Sequence, residues 1–185
     1  MNELAAIARR LARSSRITVQ ALLVRRVPLE ALTNILPPNF LYSSNRANRY
    51  NPAGIECVYF SEDEDTAKLE YERYWAGSIG DKQPFVTYFA RVKLHNVLDL
   101  TTPATLSLLR LQPQDLHEDW RKATSPTKTQ LLGLTLATKT RISAIRYPSA
   151  AGSVGANLVI FHAKVHKPDY VKILGPKKQP LQCWP

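Results

Sequence analysis

Apolar positions recur at helical spacing in residues 3–14, where Leu4, Ile7, Ala8 and Leu11 form one stripe with arginines on the other side, which predicts an amphipathic helix. Ile17 to Val27 reads as a strand. Pro28 to Leu36 begins with proline and ends at Pro37-Pro38, the punctuation of a short helix. Asn45 to Gly54 is rich in Asn, Pro and Gly and forms a stiff loop presenting Arg46 and Arg49. A strand from Ile55 to Phe60 follows, with Ile55, Cys57 and Tyr59 on one face and Glu56, Val58 and Phe60 on the other. Ser61 is a suitable helix N-cap, Glu64 completes a capping box, and the acids at 62–65 suit a first turn, so a helix is expected from Ser61 to about Trp75. Gly77 and Gly80 end that pattern. Phe85 to Leu94 alternates over a long strand, Val97 to Leu100 continues it, and Leu106 to Leu111 is a short apolar segment. Asp115–Ala123 and Thr127–Lys139 read as helices, the second packing on a sheet through Leu131, Leu132, Leu134 and Leu136. Ile142–Tyr147, Leu158–Phe161 and Tyr170–Leu174 read as strands, with a flexible loop at Gly152–Gly155. There is no internal repeat and no regular βαβ rhythm. The expected class is α+β with largely antiparallel sheets.

The helix after Ser61 has an informative asymmetry. Lys68 and Glu72 share a face with Asp65 in (i, i+3) and (i, i+4) charge pairs, which marks the side toward water. Glu70 points the other way, among Thr66, Ala67 and Tyr74, so its carboxylate is aimed at protein. An acid so placed needs hydrogen bonds or a positive partner. Arg46 and Arg49 are the nearby cations in sequence.

At 185 residues the chain suits one domain, residues 1–185, with 1–38 an N-terminal helix-and-strand extension packed on the core. A hydrophobic content of 44% is ordinary for a globular protein, and no apolar run approaches the length of a membrane span. No secretory signal is expected, since the arginines at 9, 10, 13 and 16 lead into no sustained apolar segment. Cys57 and Cys183 provide no disulfide framework, which suits a reducing cytoplasm. The formal charge of +10 suits a nucleic acid, an anionic small molecule or an acidic protein as partner, and charge alone does not choose among them. Arg25 and Arg26 fall within its N-terminal concentration, and Lys164, Lys167, Lys172, Lys177 and Lys178 make a second one. The basic amphipathic helix suits docking on the chain's own core or a partner better than a membrane surface.

Arg49-Tyr50-Asn51-Pro52-Ala53-Gly54, Val58-Tyr59-Phe60-Ser61, Thr66-Ala67 followed by Glu70, and the downstream Pro148-Ser149-Ala150 occur in an order that resembles the RES domain, a bacterial family named for an arginine, a glutamate and a serine. The resemblance spans roughly residues 40 to 175. It implies an ADP-ribosyltransferase-like core of two mainly antiparallel sheets flanked by helices. It also implies a toxin of a toxin–antitoxin pair acting on NAD+, with an Xre-like helix-turn-helix antitoxin as partner. Contact with DNA would then come only through that antitoxin, and a homo-oligomer is compatible with the reading. One departure stands out: the family's tyrosine-arginine pair upstream is Tyr42-Ser43 here, and Arg46 is the candidate replacement.

The chemistry fits those residues. Nicotinamide is already cationic in NAD+ and leaves as a neutral molecule, so one carboxylate suffices to stabilise the charge developing on the sugar. Glu70 is the candidate, against the plainer reading of a helix acid satisfied by an arginine. Arg49 and Arg46 suit the pyrophosphate, because guanidinium binds phosphate oxygens through two parallel hydrogen bonds. Tyr59, with Tyr50 second, offers a flat face and a polar tip to nicotinamide or ribose, and Ser149 a donor to a ribose or phosphate oxygen. NAD+ is then a substrate and no cofactor is retained, since the glycine fingerprint of a dinucleotide fold is absent. His95, His117, His162 and His166 have no cysteines beside them, and no metal site is expected. The acceptor of ADP-ribose stays open between water, phosphate and a protein side chain. A rival of another class, a nucleic-acid-binding module built on the basic N-terminal helix, predicts salt-sensitive binding indifferent to Glu70.

Overall fold

A computed structural model of the chain describes residues 3–29, 46–75, 84–152, 154–174 and 180–184. Among the described residues, seven strands make one sheet: β1 (Ile17–Pro28), β2 (Val58–Ser61), β3 (Phe85–Asp99), β4 (Ala144–Pro148), β5 (Ala156–Ile160), β6 (Tyr170–Leu174) and β7 (Pro180–Trp184). Their order is β1-β2-β5-β4-β3-β6-β7, and β1 also pairs with β3, from Ile17↔Val97 to Pro28↔Phe85. The first five strands therefore close on themselves, while β6 and β7 continue outward from β3. Every pairing is antiparallel except β3 with β4. This is the mainly antiparallel α+β architecture expected, with all seven strands hydrogen-bonded into one sheet.

Period-two alternation divides the core in two. Val58 and Phe60 of β2, with Leu158 and Ile160 of β5, point into the closed sheet beside Leu23, Val92 and Ile173. Cys57, Val159 and Ile145 point outward to the helices, among Leu11, Leu98, Leu132 and Leu136. The helices are α1 (Glu3–Arg13), α2 (Glu64–Trp75), α3 (Pro103–Leu109) and α4 (Lys128–Lys139). The apolar stripe of α1 docks on this second cluster, with Leu11 fully buried and the Arg10 guanidinium donating to the Leu109 carbonyl at 3.4 Å. Among the described residues, no helix is long and apolar enough to cross a membrane.

Several expectations are corrected. Ser61 is the last residue of β2, buried and donating to Asn157 Oδ1 at 2.7 Å, so it caps no helix. Asp63 takes that role: its carboxylate accepts from the Thr66 N–H at 2.7 Å and the Thr66 hydroxyl at 2.8 Å. Residues 55–57 lie outside the strand, although the facing of their side chains is as expected. The segments at 85–94 and 97–100 are one strand, β3, and the apolar run after Pro103 belongs largely to α3. Asp115–Ala123 is no α-helix; only a 3-10 turn forms, Pro113–His117. Leu116 alone is buried there, which leaves no apolar face to dock, and Asp115 is spent accepting from the Gln112 N–H and pairing with Lys128 at 3.0 Å. β7 was not foreseen. Pro28 closes β1, and the remainder of the helix expected there, with Tyr42, Ser43, Gly77 and Gly80, lies outside the described residues.

Arg146 of β4 fixes α2 against the sheet. Its guanidinium binds Glu62 through two bonds of 2.6 and 3.0 Å and the Thr101 hydroxyl at 2.9 Å, with Asp99 at 3.4 Å. Those bonds to Glu62 raise its pKa. The Glu70 face of α2 is thereby turned toward the ends of β4 and β5.

Candidate active site

Glu70 is half-buried and stands where β4 ends. Its Oε1 accepts from the Ser149 hydroxyl at 2.7 Å, the Asn157 side-chain amide at 2.8 Å and the Ala150 N–H at 3.0 Å. The partners of the inward-facing acid are therefore neutral donors, and the arginines expected for that role lie elsewhere. All three bonds converge on one oxygen, Oε1. Asn157 is itself oriented by Ser61, and the Ser149 hydroxyl accepts from the Ala151 N–H at 3.1 Å. Gly155 lets the turn after Ser149 approach α2 closely: a Cβ there would lie 2.1 Å from Thr66 Oγ1.

The arginine loop is organised by Asn51, which is fully buried. Its amide nitrogen donates to the carbonyls of Arg46 at 2.8 Å and Ile55 at 3.0 Å, and its oxygen accepts from the Tyr59 hydroxyl at 2.8 Å. The Tyr59 hydroxyl in turn accepts the Tyr50 N–H at 3.1 Å, so Tyr59 braces the loop, and burial holds its pKa far above the usual range. Tyr50 is fully buried with its ring 4.4 Å from Tyr147, so it offers no face to a ligand, contrary to expectation. Arg49 is half-buried and its guanidinium donates to the Leu116 carbonyl. Arg46 is exposed.

Five residues join this group that the sequence reading did not place there. Arg25 of β1 donates to the Tyr59 carbonyl at 2.9 Å; burial lowers its pKa, while Cys57, Tyr59 and Tyr147 around it act in the opposite sense. Tyr147 immediately precedes Pro148-Ser149, and burial, then Tyr50 and Glu70, hold its hydroxyl protonated. Arg73, one turn along α2 from Glu70, donates to the Ala150 carbonyl. His117, at the end of the 3-10 turn, is exposed and close enough to Arg49, Arg73 and Glu70 to feel their charges. Asn157 is the fifth, and it carried a signal: it is the one polar residue in the buried run Ala156–Ile160. Arg25 carried another, because adjacent arginines in a strand must face opposite sides.

His117 gives a pH test of this geometry. Burial, then the charges of Arg49 and Arg73, lower its pKa, while Glu70 raises it. On acidification the unfolded chain takes up the proton first, so this residue stabilises the fold above its ordinary value of 6.5 and the contribution is lost as pH falls through the lower native value. In an NMR titration the imidazole is expected to titrate below 6.5, lower still in Glu70→Gln and higher in Arg73→Ala. A midpoint that ignores both substitutions would separate His117 from the site.

The sequence profile of the RES domain matches residues 11–182. This chain belongs to the RES domain family. Among solved structures, the fold is similar to one titled as the crystal structure of the M. tuberculosis MbcT-MbcA toxin-antitoxin complex, with a TM-score of 0.66 and 18% identity over 98% of this chain and 91% of that one. No curated protein sequence matches significantly. The RES domain match takes in β1, and with it Arg25, as well as the Arg49 loop, Glu70 and Ser149.

Proposed function

We propose that this RES domain cleaves the bond between nicotinamide and ribose in NAD+ and serves as the toxin of a toxin–antitoxin pair in the cytoplasm. The observation that carries the reading is the Glu70 carboxylate, fixed through one oxygen by three neutral donors. A carboxylate held by neutral donors keeps its charge for a ligand, whereas one held by arginine would have spent it. As nicotinamide leaves, Oε2 stabilises the positive charge on the sugar, and the acceptor attacks the same carbon and gives up its proton. Arg49 and Arg25, with Arg73 at the rim, supply positive charge for the pyrophosphate. Arg25, whose guanidinium donates to the Tyr59 carbonyl, is a better candidate for the second site arginine than the exposed Arg46. Ser149 positions Glu70, Tyr59 positions the Arg49 loop, and Tyr147 lies close enough to the carboxylate to feel its charge.

The partner in this reading is an Xre-like antitoxin. Its support is the RES family itself and the toxin–antitoxin title of the similar structure. No cofactor is required, because NAD+ is consumed. The test is incubation of the purified chain with NAD+ in the presence and absence of phosphate, with chromatographic separation of products. Nicotinamide is expected in step with NAD+ loss, accompanied by ADP-ribose when water is the acceptor or its 1″-phosphate when phosphate is. Folded protein that leaves NAD+ intact under both conditions would sink the cleavage reading, unless nicotinamide appears only on addition of a protein that becomes ADP-ribosylated.

A further inference from the structure

The face of α2 that carries Glu70 continues beyond the carboxylate. Tyr74 is one turn further on, about 6 Å along the axis, and shares that face. It is 61% exposed, although a tyrosine ring at the end of a docked helix face is ordinarily covered. The segment after the 3-10 turn brings Arg121 to it, with Trp120 on the guanidinium. The Arg121 guanidinium lies 5.0 Å from the centre of the Tyr74 ring and 4.9 Å from that of Trp120. Neither ring belongs to the two core clusters. Exposed contacts of this kind contribute little to stability, so holding α2 to the segment after the 3-10 turn is weak employment for them.

Two aromatic rings and a guanidinium plane at an open surface form a stacking column for a flat heteroaromatic group, since bases stack on tyrosine, tryptophan and arginine alike. The order of side chains along the cleft matters as much as their type. Along α2, Glu70 comes first, Arg73 next, acting with Arg49 on the same His117, and Tyr74 last, with Arg121 against its ring and Trp120 against Arg121. The parts of a dinucleotide follow the same order: ribosyl nicotinamide, pyrophosphate, adenosine.

We propose that Tyr74, Arg121 and Trp120 form the subsite for the adenine of NAD+, a purine stacking on this column while the pyrophosphate lies along Arg49 and Arg73. The assignment rests on the NAD+ reading above. It makes the column a source of substrate affinity, remote from the bond that breaks, so its loss raises KM and leaves kcat in place.

The test is steady-state kinetics of the full chain carrying Tyr74→Leu, Trp120→Leu or Tyr74→Phe, with AMP as a probe of the purine end. The two leucine variants are expected to raise KM for NAD+ about ten-fold, with kcat within about two-fold of wild type. AMP should inhibit wild type competitively and each leucine variant about ten-fold more weakly. Tyr74→Phe keeps the ring and should recover most of the NAD+ and AMP affinity that Tyr74→Leu loses. Leucine variants with unchanged KM and unchanged AMP inhibition would overturn the proposal. So would a fall in kcat alone, or loss in Tyr74→Phe equal to that in Tyr74→Leu. If wild type cleaves no NAD+, the reading of the site fails first; if wild type cleaves it and the variants match wild type, only the subsite fails.

Discussion

Glu70→Gln lowers kcat for NAD+ cleavage by about a hundred- to a thousand-fold, the scale of losing one preorganised electrostatic contact to a transition state. The same substitution leaves the fold within about 1 kcal/mol of wild-type stability, because the hydrogen bonds that hold the side chain survive it. Ser149, Ala150 and Asn157 all donate to Oε1, and glutamine retains an oxygen there. What changes is the cleft side, where a neutral amide replaces Oε2 and the negative charge disappears. The change in ground-state binding, through the cationic nicotinamide ring, is expected to be smaller, since positive charge reaches the sugar itself only as the bond breaks. The effect belongs in kcat, measured by nicotinamide release at saturating NAD+. A variant that melts with wild type and turns over NAD+ at full rate would end the assignment of Glu70, while leaving the RES family membership untouched.

That a helix acid would face inward was legible from Lys68 and Glu72, whose exposed pair at 4.0 Å marks the opposite side of α2. Charge spacing on a helix is local information, and it survives folding. The partners of Glu70 were not legible, because Ser149, Ala150 and Asn157 lie 79 to 87 residues away and are neutral. Charge alone points to the nearby arginines rather than to donors that only the meeting of β4, β5 and α2 brings together. Arg25 was hidden for a related reason. Read along the chain it belongs to a basic N-terminal region, and only the closure of β1 through β3 and β2 turns it onto Tyr59. Ser61 shows the limit of a cap signal: a serine followed three residues later by glutamate suits a helix start, yet Asp63, two residues on, fits the Thr66 N–H and hydroxyl with one carboxylate. The facing of Ile55, Cys57 and Tyr59 against Val58 and Phe60 was legible throughout, since period-two alternation needs no knowledge of where the ladder begins.

Gly133→Ala destabilises the protein by about 3 kcal/mol and removes most NAD+ cleavage, although position 133 lies in the middle of α4 and touches no candidate catalytic group. By helix propensity alone the change should stabilise by roughly 1 kcal/mol. The geometry decides against it. A Cβ at Gly133 would lie 1.6 Å from the Tyr50 carbonyl oxygen and 2.7 Å from the carbonyl carbon. Those are backbone atoms, so no side chain can swing aside to make room. The loop they belong to is tied down on each side: Gln130 of α4 donates to the Asn48 carbonyl at 2.9 Å, and the Tyr59 hydroxyl receives the Tyr50 N–H. Opening the contact breaks these bonds, lifts the Tyr50 ring from Tyr147 and displaces Arg49, which directly precedes it. Stability measured by urea unfolding and turnover measured with NAD+ should therefore fall together. Thr138→Ala, on the exposed side of the same helix, is the control, and should leave both unchanged. A Gly133→Ala protein as stable as wild type would mean that α4 and the arginine loop stand further apart than the folded chain places them, and that the loop is held over the cleft by Asn51 and Tyr59 alone.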